Sequence, residues 1–347
     1  MINIDIHNHV IPQAYIEAAI RTPELVDAHV TGEGAERRLV HRNGPNYPIF
    51  PEFHDVAAKL AVMDAAGIDV AVISPAPTIF GYWTPEADAI RIARLVNDGI
   101  AQMAAARPDR LLPLALMPLH HPHAAVAELE RVMQGGLFVG VEIGTTVAGA
   151  QIADPKFRPF LKRAAELKAL VFAHPLYLDA NCGFGDYYLI NLIGNPLDTT
   201  MMVAHLMFSG TLDELPNLQI CLAHGGGFVP YQIGRLVHGQ RVRPEARAAS
   251  TSDPRELLRR FYFDVLLHDP KAIRHLIDQV GPDRLMLGTD APFDMGEVAP
   301  VASLDAVPRI TATERHALCC GTALSLLRHL RPEDQRIAAM GVRAKVG

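Results

Sequence analysis

The sequence predicts an α/β protein: a (β/α)8 TIM barrel with insertions after strands one and five. Three observations carry that prediction. Eight short β-rich runs alternate with longer segments of helical period. Several of those runs are almost wholly apolar, as parallel strands covered on both faces must be. Single polar residues stand at the C-terminal ends of the runs, the face of a barrel that carries its chemistry.

The predicted strands are Ile2–Ile6, Asp69–Ser74, Leu111–Met117, Phe138–Ile143, Ala169–Ala173, Gln219–Ala223, Phe261–Leu266 and Arg284–Leu287. Helix starts lie between them. Thr84-Pro85 opens a helix with an apolar face through Ala87, Ile90, Ala93, Ile100 and Met103. Asp154-Pro155, Asp253-Pro254 and Asp269-Pro270 each place a capping acid before a proline at the first helical position. Thr311 and Glu314 have capping-box spacing. Gly135-Gly136 and Gly281-Pro282 end helices ahead of strands four and eight. A doubly wound sheet would place a glycine-rich phosphate loop after the first strand, where His7-Asn8-His9 stands instead.

One domain is expected over residues 1–330, including an insertion at about 12–54. A second long stretch covers about 175–212, and residues 331–347 form a polar C-terminal tail. Both long stretches follow strands and belong to the active face.

Of 347 residues, 49% are hydrophobic and 20% charged, which excludes a disordered chain. A net charge of −6 argues against nucleic acid and against an anionic membrane surface as partner. No apolar run has the length of a membrane span, and Met1–His7 lacks the basic region of a signal peptide. Cys182, Cys221, Cys319 and Cys320 form no framework, so a reducing, cytoplasmic compartment is expected.

The chemistry sits at the strand ends. His7 and His9 are two residues apart and share one face of strand one. His174 ends strand five, His224 strand six and Asp290 strand eight, while Glu142 lies near the end of strand four. Imidazoles and a carboxylate converging in one barrel mouth suit a borderline divalent ion.

These pieces resemble the amidohydrolase superfamily, and more narrowly its aminocarboxymuconate-semialdehyde decarboxylase-like (amidohydrolase 2) family. They are Asp5-Ile6-His7-Asn8-His9-Val10-Ile11-Pro12, Met63-Asp64-Ala65-Ala66-Gly67-Ile68-Asp69, Phe80-Gly81-Tyr82, Ala173-His174-Pro175, Ala223-His224-Gly225-Gly226-Gly227 and Leu287-Gly288-Thr289-Asp290-Ala291-Pro292-Phe293. The resemblance spans roughly Ile4 to Leu327. It implies that His7, His9, His174 and Asp290 hold one divalent metal per subunit, Zn²⁺ with Mn²⁺ as the alternative, and no organic cofactor. Glu142 stands where binuclear relatives carry a bridging lysine, which favours one ion. His224 and Asp290 are then the catalytic pair, with His224 exchanging a proton beside the metal.

The implied activity is non-oxidative decarboxylation of a small aromatic or unsaturated carboxylic acid. The alternative is a metal-dependent hydrolase or hydratase. Arg235 matches a family arginine that reaches the neighbouring subunit's site, which implies a homodimer; a guanidinium binds carboxylate bidentately. Phe80, Trp83, Tyr177, Phe293 and Glu142 are further candidates for contact with substrate. One departure stands out. The strand-one insertion reads Asn43-Gly44-Pro45-Asn46-Tyr47-Pro48, without the arginine that the namesake family carries there, and Arg42 is a shifted substitute. A less charged acid than the namesake muconate is therefore expected.

Overall fold

A computed structural model describes residues 2–176 and 183–346. Eight parallel strands run in chain order: β1 (Ile4–Val10), β2 (Val70–Pro75), β3 (Leu111–Leu116), β4 (Gly140–Gly144), β5 (Leu170–His174), β6 (Gln219–Leu222), β7 (Tyr262–Asp264) and β8 (Leu285–Met286). Each pairs with its sequence neighbour. The last meets the first where Ile6 N donates to Leu287 O at 2.9 Å and His9 N to Ala291 O at 2.8 Å. The sheet thus closes into the expected barrel.

Around it stand α1 (Val56–Ala65), α2 (Glu86–Ala106), α3 (Pro122–Gln134), α4 (Arg158–Glu166), α5 (Asn195–Phe208), α6 (Val229–Val242), α7 (Pro270–Val280) and α8 (Thr322–Leu330). The proline-preceding acids do cap: Asp253 accepts from Arg255 N and Asp269 from Lys271 N, both at 2.8 Å. Thr311 and Glu314 form the capping box of the short helix Ala312–His316. The buried face of α2 passes through Ala89, Ile92, Val96, Ile100 and Met103, not through Ala87 and Ile90. The predicted three-residue steps had drifted around the 3.6-residue turn.

Alternate strand residues fill the barrel: Val72, Leu114, Phe172, Cys221 and Met286 form one interior cluster with Ile4 and Ile6. That cluster continues into Leu327 of α8 and into Ile337 and Met340. The polar C-terminal tail, expected as a solvated helix or a partly disordered segment, is a helix, Gln335–Val346, docked on that cluster rather than solvated. Arg336 Nη2 donates to Leu137 O at 2.7 Å beneath the barrel, and the two apolar residues are the reason the segment stays down.

The strand-one insertion is ordered rather than irregular. It holds helix Gln13–Arg21 and an antiparallel sheet of Ala28–Thr31, Arg38–His41 and Asn46–Pro48. The second long stretch contains ring helix α5, because Met202, Val203, Leu206 and Met207 recur at helical spacing and are buried.

Candidate metal centre

Strand β1 is bent at the site. Asp5 pairs with Ala71 and Asn8 with Ile73, so Ile6 and His7 together face a single residue of β2. This bulge lets Ile6 and His7 both point inward, and normal alternation then brings His9 to the same side. Asp5 holds the bulge: it accepts from His7 N at 3.0 Å, Asn8 Nδ2 at 2.9 Å and Thr289 Oγ1 at 2.6 Å. Strands β1 and β8 are tied together directly beneath their chemical residues.

His7 Nε2 and His9 Nε2 lie 2.9 Å apart, and Asp290 Oδ1 is 3.2 Å and 3.0 Å from them. The candidate ligand atoms of His7, His9, His174 and Asp290 all lie within 4.8 Å of one another. Ligand atoms bonded to one ion at about 2.1 Å are spaced by roughly 3 Å. His174 Nε2 is buried without a hydrogen-bond partner among the described residues. The donor set therefore fits a divalent ion, with an orphaned imidazole nitrogen aimed at its place.

The outer nitrogens are engaged, which fixes how the rings stand. His7 Nδ1 is 2.6 Å from Asp264 Oδ2, His9 Nδ1 is 3.2 Å from Ser74 Oγ, and His174 Nδ1 is 2.8 Å from Pro175 O. In the neutral ring an acceptor at Nδ1 places the proton there and leaves the Nε2 lone pair for a ligand. Burial opposes a charge on His7, but Asp290 and Asp264 outweigh it and lift this imidazole to about 10. Burial takes His9 down to about 4, and takes His174 well below its ordinary range. Burial would raise Asp290, yet His7, His224 and His9 together hold its carboxyl well below the usual range.

His224 stands at the open side, its Nε2 3.5 Å from Asp290 Oδ2. One carboxylate thus addresses the ligand cluster through Oδ1 and His224 through Oδ2. Both residues have left-handed backbones, with φ of 53° and 59°, and Gly225, Gly226 and Gly227 after His224 also have positive φ. Strain of this kind collects at functional sites where the surroundings enforce it. Asp264 does the enforcing at His224, accepting from His224 N at 3.0 Å and Gly225 N at 2.9 Å.

The cluster opens onto two adjoining spaces. The inner one, about 50 Å³, is walled by Tyr47, Thr78, Tyr188, Asn195, Phe293 and Asp294 around His174, His224 and Asp290. The outer one, about 350 Å³, adds Phe228, Leu267 and His268. A separate cavity of about 420 Å³ lies outside the barrel wall behind Asp5, Asn8 and Lys59. No ligand of the cluster lines it, so the smaller pair marks the site.

The family model described as Amidohydrolase matches residues 4–329. The chain belongs to this amidohydrolase family. A 2-amino-3-carboxymuconate-6-semialdehyde decarboxylase of Dictyostelium discoideum is 31% identical, over 94% of this chain and 91% of its own. A gamma-resorcylate decarboxylase of a Rhizobium species is 32% identical, over 68% of this chain and 76% of its own. A solved 5-carboxyvanillate decarboxylase of Novosphingobium aromaticivorans, complexed with manganese, has the same fold. It superposes with a TM-score of 0.80 at 20% identity, over 94% of this chain and 96% of that one.

Within this amidohydrolase chain only some of the predicted residues come together. His7, His9, His174, His224, Asp290 and Phe293 come together, with the Phe293 ring 5.2 Å from that of His9. Glu142 is wholly buried with Oε2 3.8 Å from His9 Nδ1, behind the cluster and not in the open space; burial pushes its carboxyl well above the usual range. Phe80 and Trp83 are elsewhere. Phe80 is buried against Tyr82, and Trp83 donates to Asp27 at 2.9 Å and covers Gly44, whose missing side chain makes room for the indole. The insertion needs Trp83 as its floor, which takes it out of the cavity. Arg42 is 78% exposed beside Asp27 and turned from the site, while Tyr47 of the same insertion reaches it. Arg235 is exposed on α6, with no hydrogen bond or ion pair among the described residues. Tyr177 and Cys182 lie outside the described residues.

Sequence reading missed Asp264, Asp5 and Lys59. Lys59 is buried in α1 and donates to Asn8 Oδ1 and His9 O, both at 2.7 Å; burial brings its amine down to about 7. The available signals were a lone acid within the apolar run of strand seven and a lone lysine among the apolar residues of α1.

Proposed function

We propose that this chain is a metal-dependent, non-oxidative decarboxylase of a small aromatic or unsaturated carboxylic acid. One divalent ion per subunit is held by His7, His9, His174 and Asp290. The observation that carries the reading is the three-histidine, one-aspartate cluster found among the described residues, sharing Asp290 with His224, in a chain whose relatives named above are decarboxylases. The hydrolase alternative has no such support. The donor set suits Zn²⁺; the carboxylate ligand and the manganese of the 5-carboxyvanillate enzyme make Mn²⁺ the alternative.

The ion, when bound, polarises and orients the substrate as a Lewis acid. The carbon bearing the carboxylate gains a proton, its bond to the carboxyl carbon breaks, the electron pair returns to the conjugated system and CO₂ leaves. His224 moves the proton, held in place by the Asp264 contacts to its backbone. Phe293 packs over His9 and keeps water from that side.

No lysine or arginine of the described residues lines either space at the cluster. We assign the missing counter-charge to Arg235 of a second protomer. Exposed Tyr231 and Val242 on its helix, and Leu192, Ile193 and Met201 on the neighbouring elements, support an apolar dimer face there. A cytoplasmic location rests on Cys221, Cys319 and Cys320, which are buried and unpaired. Among the described residues no helix is long and apolar enough to cross a membrane.

The test is CO₂ release with metal analysis on one preparation, loaded with Zn²⁺ or Mn²⁺. The panel covers hydroxybenzoates, vanillate-type carboxylates and muconate semialdehydes. Release from at least one acid, abolished by a chelator and restored by the ion, is expected. A full complement of metal with no release from any acid overturns the proposal.

A further inference from the structure

Tyr47 at the inner space is already engaged, with Asp294 at 2.9 Å. His174 Nε2, His224 Nδ1 and Asp290 Oδ1 lack a hydrogen-bond partner but belong to the candidate metal and proton-transfer cluster. Outside that cluster, Thr78 Oγ1 and Asn195 Oδ1 also line the space, are buried and have no hydrogen-bond partner among the described residues. Thr78 is 4% exposed and Asn195 8% exposed, and both line the space with His174, His224 and Asp290. They arrive from separate elements: Thr78 from the turn Pro77–Ile79 after β2, Asn195 from the first position of α5 after β5. A buried polar group without a partner is costly, and a native site keeps one where a ligand completes it.

The chemistry of the pair narrows what completes it. A threonine hydroxyl donates and accepts, and an amide oxygen accepts. Reversing the Asn195 amide leaves its polar end in the same place. Aspartates 290 and 294 face the space, and no cation of this chain's described residues does. A second carboxylate would meet repulsion there, whereas a hydroxyl could donate to Asn195 and accept from Thr78.

We infer that Thr78 and Asn195 are specificity-determining residues that read an uncharged hydroxyl substituent on the substrate acid. The inference takes from the proposed function only the location of the acid beside the metal cluster, so its test reads binding and needs no turnover.

The test is calorimetry on Mn²⁺-loaded protein with benzoate, the three monohydroxybenzoates, 2,6-dihydroxybenzoate and isophthalate. The tightest hydroxylated probe should bind about tenfold or more tightly than benzoate, because the unhydroxylated acid leaves the two groups unpaired. Isophthalate should bind more weakly than benzoate. Thr78→Val and Asn195→Leu should each reduce the hydroxyl preference to under about threefold while benzoate binding stays near the parent value. Thr78→Ser should keep the preference. If Asn195→Leu does not fold, the Val and Ser variants at Thr78 still decide. A parent without hydroxyl preference, tight isophthalate binding, or a folded Thr78→Val variant with the full preference overturns the inference. A chain that binds with this preference yet releases no CO₂ would refute the decarboxylase reading alone.

Discussion

The Asp264 carboxylate accepts from His7 Nδ1 at 2.6 Å and, through the same oxygen, from His224 N at 3.0 Å. One side chain from β7 thus orients a candidate metal ligand and the histidine proposed to move the proton. Burial would raise Asp264, but the bond and charge of His7 prevail and hold its carboxyl below the usual range.

Asp264→Asn keeps the shape and removes the charge. Metal affinity should fall by about tenfold or more, the usual effect of losing a carboxylate behind a ligand histidine. Competition against a chromogenic chelator measures it, with circular dichroism as the check on folding. Unchanged affinity would show that Asp264 does not act through His7.

His224→Gln should leave metal content at the parent level and lower CO₂ release by about a hundredfold or more. Elemental analysis and the CO₂ assay on the same preparation separate the two effects. Loss of the ion would make His224 a ligand instead.

Arg235→Ala should raise KM for the acid far more than it lowers kcat. Mixing this variant with His224→Gln under conditions that exchange protomers provides the sharper check. If each site borrows Arg235, mixed dimers carry one intact site and roughly a quarter of parent activity returns. No recovery would mean that Arg235 serves its own chain or none.

Gly288, two residues beyond β8, lies between His7 and Asp264; a Cβ there would sit 2.8 Å from Asp264 Cβ and 3.1 Å from His7 Cβ. Gly288→Ala should cost about 1–3 kcal/mol of stability as an overpacked site, and should weaken metal binding as well. Urea denaturation and chelator competition follow both. A variant with parental values in each would show that the seam has slack.

Glu314 links the capping box to Arg274, whose guanidinium lies 2.9 Å away, and this bond leads in lowering the carboxyl to about 2. A carboxylate depressed by folding contributes above its unfolded value and loses that contribution as the pH falls through its folded value. Glu314→Gln should therefore be less stable than the parent at neutral pH, by about 1 kcal/mol. The gap should close between pH 4.5 and about 2, the interval over which the unfolded chain binds the proton while the native carboxylate still resists it. Denaturation at a series of pH values reads the gap directly, and a gap independent of pH would contradict the ion pair.

The sequence by itself determined what is local. Apolar runs marked the eight strands, Asp-Pro pairs marked helix starts, and the i, i+2 spacing of His7 and His9 put two imidazoles on one face. Each follows from the period of a single element. Tertiary structure alone decided what depends on barrel closure. Asp264 meets His7 across 257 residues, and Thr289 meets Asp5 across 284. The bulge at Ile6 and His7 exists only against β2. Trp83 looks like a pocket wall in the sequence and becomes a floor because Gly44 is brought over it. Thr78 and Asn195 carry no pattern at all in the chain; they matter because a turn after β2 and the start of α5 converge on one space and leave two polar atoms there for a ligand to satisfy.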